Sequence, residues 1–220
     1  AFTQLLADNG LRDFIESASV NFQSSEDLSA LEPIAADIRQ QVLAAKIPNS
    51  LKVELADYFG QRQNQYFAVR SSVLGEDAQG ASFAGQMDSY LFQRGLAAIE
   101  ESLLQVCASA FNTRALHYRL SKGIALSDIR AAVIIQEMVE GEVSGVMFTA
   151  HPLHGSRQHA LISAASGVGE GIVAGICNTD EYTVPLQGNE ITTTLADKDL
   201  AVVFDHEAGR GTKEIHVDEA

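Results

Sequence analysis

The residues best equipped for chemistry lie in one stretch, 66–86. An apolar run, Tyr66-Phe67-Ala68-Val69, delivers Arg70, then Ser71 and Ser72, and then a loop rich in Gly, Ser and Ala that reaches Gly85 and Gln86. A guanidinium is always charged, and its planar donor fork matches two oxygens of a phosphate. Small residues let a phosphate approach backbone N–H groups closely. The stretch therefore suits a phosphate-bearing ligand. It equally suits a surface hairpin in which Arg70 pairs with Glu76 or Asp77. No Gly-x4-Gly-Lys-Ser/Thr loop occurs anywhere in the chain.

Other candidates are thinner. Val133-Ile134-Ile135-Gln136-Glu137-Met138-Val139 is an apolar strand that turns polar for two residues, and its edge can offer backbone groups and an amide to a purine. The same pattern fits a strand entering a turn. Gly169-Glu170-Gly171-Ile172-Val173-Ala174 satisfies a loose dinucleotide fingerprint, but hairpins rather than further βαβ units follow it, so a tight strand-to-helix turn is the better reading. Arg114 and Arg119 could reach a phosphate or a carboxylate, or be ordinary solvated charges. Glu140-Gly141-Glu142 reads as a solvent-facing turn. Cys107 and Cys177 stand far apart among small and apolar neighbours, as buried thiols do in a reducing compartment. Neither they nor the six histidines show metal-ligand spacing.

Charge narrows the class of partner. The net charge is −14, which argues against nucleic acid. Residues 62–130 carry seven Lys+Arg against six Asp+Glu, whereas the rest carries eight against 23. An anionic ligand is thus favoured over the segment that holds Arg70. No apolar run approaches the roughly 18 residues of a membrane span. The start, Ala1-Phe2-Thr3-Gln4, lacks an initiator Met and a basic n-region, and reads as the beginning of an internal piece rather than a signal peptide.

The elements that must position these residues follow from periodicity. Helical spacing covers residues 2–16 and 26–46, the latter through Leu28, Leu31, Ile34, Ile38, Val42 and Leu43; Pro48 and Asn49-Ser50 end it and cap a third helix near 50–63. A buried strand over 66–69 ends at Arg70-Ser71-Ser72, and residues 87–93 form another. One or two helices occupy 95–121, with Leu103, Leu104, Cys107, Phe111, Leu116 and Leu120 inward. Strands at 132–138 and 143–148 are joined by the acidic turn. Further strands fall at 159–165, 200–204 and 214–217, with a hairpin of 182–186 and 190–194 about Gln187-Gly188-Asn189. Helices lead and strands dominate the second half, which predicts an α+β fold with a mostly antiparallel sheet.

In order, the segments resemble the N-terminal nucleotide-binding domain of the phosphoenolpyruvate synthase and pyruvate phosphate dikinase family, shared with rifampin phosphotransferases and glucan water dikinases. The matching stretches are Ala68-Val69-Arg70-Ser71-Ser72, Glu76-Asp77, Ala81-Ser82-Phe83-Ala84-Gly85-Gln86, Arg114-Ala115 with Tyr118-Arg119, and Gln136-Glu137-Met138-Val139. Val143-Ser144-Gly145-Val146-Met147-Phe148-Thr149, Gly167-Val168-Gly169-Glu170, Asp180-Glu181-Tyr182, Asp197-Lys198 and Gly211-Thr212-Lys213-Glu214 complete them.

The resemblance implies an ATP-grasp-type domain, incomplete at both ends. Residues 1–65 would be its helical part, 66–130 the strand, phosphate-covering loop and helices, and 131–220 the adenine-side sheet lobe. Arg70 would hold the transferring phosphoryl group as the catalytic residue. Residues 72–86 would cover the phosphates, with Ser71, Ser72, Glu76, Asp77, Ser82, Phe83, Ala84, Gly85 and Gln86 around ATP. Gln136, Glu137, Met138 and Val139 would line the adenine, and Thr149 would join the site. A Gly-Gly-Lys segment would lie before Ala1, and the acidic magnesium ligands with a Gln-x-Arg partner after Ala220. The implied activity is phosphoryl transfer from ATP to a histidine on another domain, with pyruvate, rifampin or glucan as final acceptor. A module that binds nucleotide or a partner without catalysis is the rival of another class. The implied partners are ATP with Mg2+, the phosphohistidine and acceptor-binding domains of the same chain, and a homodimer of the parent, in the cytoplasm, without membrane or nucleic acid.

Overall fold

The computed structural model describes residues 2–20, 28–73, 77–78, 81–82, 87–126, 131–153, 155–188 and 190–217. Its contacts divide the chain into two compact units, Ala1–Met138 and Val139–Ala220.

The first unit opens with helices α1 (Phe2–Asp8), α2 (Leu11–Val20), α3 (Leu28–Leu43) and α4 (Asn49–Gly60). In α3, Leu31, Ala35, Ile38 and Val42 recur at steps of four, three and four, and each is at most 1% exposed. Burying a large side chain of this kind contributes about 1.5–3 kcal/mol. Leu43, expected on the inner face, is 48% exposed, and Ala35 takes the inward position instead. The helix read over 2–16 is two helices. Gly10 sits at φ 65, a left-handed turn that ends α1. Asn9 then ties the break to the far end of α3: its side chain donates to Lys46 C=O and accepts from Lys46 N–H. Pro48 rather than Asn49 is the N-cap of α4, with no side-chain cap bond.

Next come β1 (Tyr66–Val73), β2 (Asp77–Ala78), β3 (Ala81–Ser82), β4 (Ser89–Arg94), α5 (Leu96–Ser109), α6 (Thr113–Ser121) and β5 (Ala131–Glu137). The order β4-β1-β5 makes a three-stranded antiparallel sheet, and β2 pairs with β3 as a separate small hairpin. One face of the sheet is core. Phe67 and Val69 join Ile99, Leu103, Val106, Cys107, Phe111 and Leu116, with Val133 and Ile135 packed against them. Phe59 meets Phe67 edge-on at 4.9 Å. The other face carries Arg70.

The second unit holds β6 (Val143–Phe148), β7 (His159–Ser166), α7 (Glu170–Val173), β8 (Asp180–Pro185), β9 (Thr192–Thr194), β10 (Leu200–Phe204) and β11 (Thr212–His216). A four-stranded antiparallel sheet runs β6-β7-β8-β9, and β10-β11 is a hairpin. The expected hairpin of 182–194 is present as β8 and β9. The two pieces meet at Gly167: its N–H donates to Glu142 C=O at 2.7 Å, and Val168 N–H donates to Val202 C=O at 2.8 Å. Gly167 has φ 86, and a Cβ there would stand 2.2 Å from Val202 O. Thr212 Oγ1 donates to Glu170 Oε2 at 2.6 Å, locking α7 to β11. The glycine-rich run is therefore a packing junction and a strand-to-helix turn.

All described ladders are antiparallel, as expected of the α+β reading. β5 hydrogen-bonds to β1 and β6 to β7, and the division by contacts falls after Met138.

Candidate nucleotide site

Arg70 lies inside β1, not at its end, because the ladder with β5 continues through Ser71↔Val133 and Ser72↔Ala132 to Val73↔Ala131. Its backbone is held on both sides, opposite Ile134 on β5 and Ser89 on β4. Opposed residues share a face, so Ser89, Arg70 and Ile134 form a row across the open side of the sheet. Ser72, Ala132 and Gln136 occupy the same face by the strand period of two. Arg70, Ser89 and Gln136 are exposed, and Ile134 is 47% exposed although large and apolar. Ser71 alternates to the core side, so its backbone is what it can offer a ligand on Arg70's face.

The adenine-side prediction acquires a geometry from one bond. Met138 N–H donates to Tyr66 C=O at 2.8 Å. Alternation from that bond turns the backbone of residues 66, 68, 70 and 72 toward β5. It leaves the N–H and C=O of Glu137 on the outer edge of β5, where no described strand pairs. A purine edge needs one donor and one acceptor in that arrangement. Arg94 lies over the Tyr66 ring at 5.2 Å, at the far end of the same face.

The supports of this face are anchored in the core. Asp88 N–H donates to Ser109 Oγ at 3.0 Å, and Ser109 Oγ donates to Val106 C=O at 2.8 Å, which fixes the entry to β4. Tyr90 points to the core, where burial and then the Asp88 carboxylate push its phenol upward.

The remaining predicted residues distribute as follows. Asp77 and Ser82 are opposed in the β2–β3 hairpin. Glu76 and Phe83, Ala84, Gly85 and Gln86 lie outside the described residues. Val139, 79% exposed, and the exposed Thr149 belong to the second unit. Arg119 is not a ligand candidate: it is 2% exposed, Nη1 donates to Ala110 C=O at 2.6 Å, and burial pushes its guanidinium down to about 10. Arg114 is exposed. Both cysteines are free and buried, as expected. The sequence reading placed Ile134 in a candidate strand but neither it nor Ser89 in the site. Alternation in residues 87–93 could have found Ser89, but its phase is interrupted at Leu91 and Phe92.

No three His, Cys, Asp or Glu side chains converge among the described residues. The first unit does suit a nucleotide: one guanidinium, hydroxyls, an amide, an unpaired strand edge and an apolar side chain share one open face. The fold and face define an α+β domain whose first unit presents a guanidinium, hydroxyls and an amide on one side of its sheet.

Residues 1–220 match the family described as pyruvate phosphate dikinase, AMP/ATP-binding domain. The chain is 36% identical to rifampicin phosphotransferase of Bacillus subtilis, over 88% of this chain and 22% of that protein. It is 38% identical to phosphoenolpyruvate synthase of Pyrococcus furiosus, over 80% of this chain and 22% of that protein. It is 34% identical to phosphoenolpyruvate synthase of Pseudomonas aeruginosa, over 100% of this chain and 30% of that protein. The chain thus belongs to the pyruvate phosphate dikinase AMP/ATP-binding domain family. It spans about a quarter of the length of the curated relatives it matches, 22% to 30%.

Proposed function

We propose that this chain is the ATP-binding part of a larger phosphotransferase that moves a phosphoryl group from ATP to a histidine on another domain, as in phosphoenolpyruvate synthase. The observation that carries the reading is the row Ser89, Arg70, Ile134 beside Gln136 and the free edge of Glu137. Phosphates would lie against Arg70 and the purine against the edge of β5. Catalysis of phosphoryl transfer rests on positioning and charge stabilisation, which a guanidinium fixed on a buried-backed strand supplies. The ATP-grasp assignment, the residues 72–86 as a covering loop, the three-part division at 65 and 130, and the contributions of Val139 and Thr149 belong to this proposal. So do magnesium, with ligands after residue 220, a cytoplasmic location, and a homodimer. No described helix is long and apolar enough to cross a membrane.

Pyruvate is the acceptor we favour, with water as co-substrate and phosphoenolpyruvate, AMP and phosphate as products. Rifampicin is the second reading, because rifampicin phosphotransferases match at 36% and 37%, as closely as the synthases. The test uses the full-length protein with Mg-ATP and either pyruvate or rifampicin, following AMP and the phosphorylated product. AMP formation coupled to pyruvate supports the first reading. Coupling to rifampicin alone replaces it with the second. ATP binding without AMP formation in either mixture would make the protein a binding module.

A further inference from the structure

The strand that supplies Ser89 is irregular. Phe67 pairs with Gln93 and Val69 with Tyr90, so Leu91 and Phe92 together stand opposite Ala68. This is a β-bulge. At its centre Phe92 has φ 51, the one positive φ outside glycine among the described residues. A bulky side chain is strained there, and such strain persists only where the surroundings over-determine it. They do so here. The Phe92 ring is 1% exposed and meets Tyr66 edge-on at 6.0 Å. The buried Gln93 side chain donates to Leu91 C=O at 2.8 Å, satisfying a carbonyl that the bulge displaces from the ladder.

The extra residue decides what stands beside Arg70. Counted back from the Phe67–Gln93 pair in a regular ladder, Tyr90 would fall opposite Arg70, and Ser89 would turn to the core. With the bulge, Ser89 is opposite Arg70 and Tyr90 packs against the core. A phenol ring in that position would fill the space beside Arg70 through which a phosphate must come to reach the in-plane N–H groups of the guanidinium. A serine leaves that space open and adds a donor.

We propose that Phe92, held in the left-handed bulge, is a positioning residue that sets the register of β4 so that a small hydroxyl side chain stands beside Arg70 on the face that receives phosphate. The functional half of this inference rests on the nucleotide reading above; the register half does not.

Cysteine pairs in the full-length protein report the register without any ligand. Directly opposed Cα atoms are about 4.5–5.5 Å apart, within disulfide reach. The domain's own Cys107 and Cys177 are buried and do not compete. Arg70→Cys with Ser89→Cys should close on mild oxidation, and Arg70→Cys with Tyr90→Cys should stay open. Adding Phe92→Val, whose β-branch opposes positive φ, should move closure to the second pair; adding Phe92→Asn should leave it with the first. In the protein without added cysteines, Phe92→Asn should keep turnover within about threefold, and Phe92→Val should lower it at least about tenfold. If Phe92→Val fails to fold where Phe92→Asn folds, the ranking is the same and supports the proposal. A ranking by apolar volume, with Phe92→Val above Phe92→Asn in melting and turnover, would show a packing role and overturn it. Closure of the first pair in every background would overturn it as well. Failure of the native protein to bind ATP would refute the nucleotide reading and the functional half, and the oxidation results would still judge the register.

Discussion

Replacing Arg70 by lysine in the full-length protein isolates the guanidinium from its position. The backbone of Arg70 is opposed by Ile134 on one side and Ser89 on the other, three residues before the end of the β1–β5 ladder, so the substituted side chain starts from the same point. The side chain is exposed, which limits the expected change in stability to about 0.5 kcal/mol. The charge is retained. What is lost is the fork that grips two phosphoryl oxygens at once, since lysine offers one compact ammonium. Removing one preorganised donor of this kind typically costs about 3–4 kcal/mol at the transition state, or about 10²–10³-fold in turnover. Ground-state binding of ATP should fall much less, because Gln136 and the edge of Glu137 are untouched. Steady-state kinetics for ATP beside a thermal melt measure both quantities. A turnover number near the native value in a well-folded Arg70→Lys protein would refute the reasoning and leave Arg70 as a surface charge.

Gly167→Ala should destabilise the second unit by at least about 2 kcal/mol, because the new Cβ would meet Val202 O at 2.2 Å in a backbone at φ 86; a melt of the variant unchanged from native would count against the junction. Lys198 Nζ lies 2.6 Å from both carboxylate oxygens of Asp180, and Ala196 N–H donates to the same carboxylate at 3.0 Å. The Lys198 and Ala196 bonds hold Asp180 below the usual carboxylate range. The clasp therefore stabilises the fold above the unfolded carboxylate value of about 3.9, and that contribution disappears as pH falls through the lowered folded value. Lys198→Met should flatten this acid limb in melts taken from pH 2 to pH 6, and an unchanged limb would show that the clasp carries no weight. Burial pushes the Cys107 thiol up to about 12, so a thiol reagent at pH 8 should modify it only after denaturant is added; rapid labelling of the native protein at Cys107 would contradict its burial.

Much of the second unit was legible in local pattern. The strands of 143–148 and 200–204 appear with the expected limits, and the turn at Gly167-Val168-Gly169 appears where glycine spacing put it. The inward set of α5 and α6, from Leu103 to Leu120, also follows from helical period alone, since which face is apolar is a property of the segment itself. The order of motifs along the chain was enough to name the family. Tertiary structure decided matters in which one segment answers to another. Arg70 reads as the end of a strand because apolar residues stop there, yet the strand continues, since β5 supplies ladder bonds to Val73 whatever the side chains. Arg119 reads as a solvated charge and is buried, because Ala110 C=O, nine residues earlier in the chain, accepts its hydrogen bond. The helix of 2–16 breaks at Gly10, where Asn9 reaches Lys46, 37 residues away. Ser89 stands beside Arg70 only because the β4 ladder accommodates an extra residue at Phe92. Register is a relation between two strands, and a single segment's periodicity carries no information about where its partner inserts a bulge.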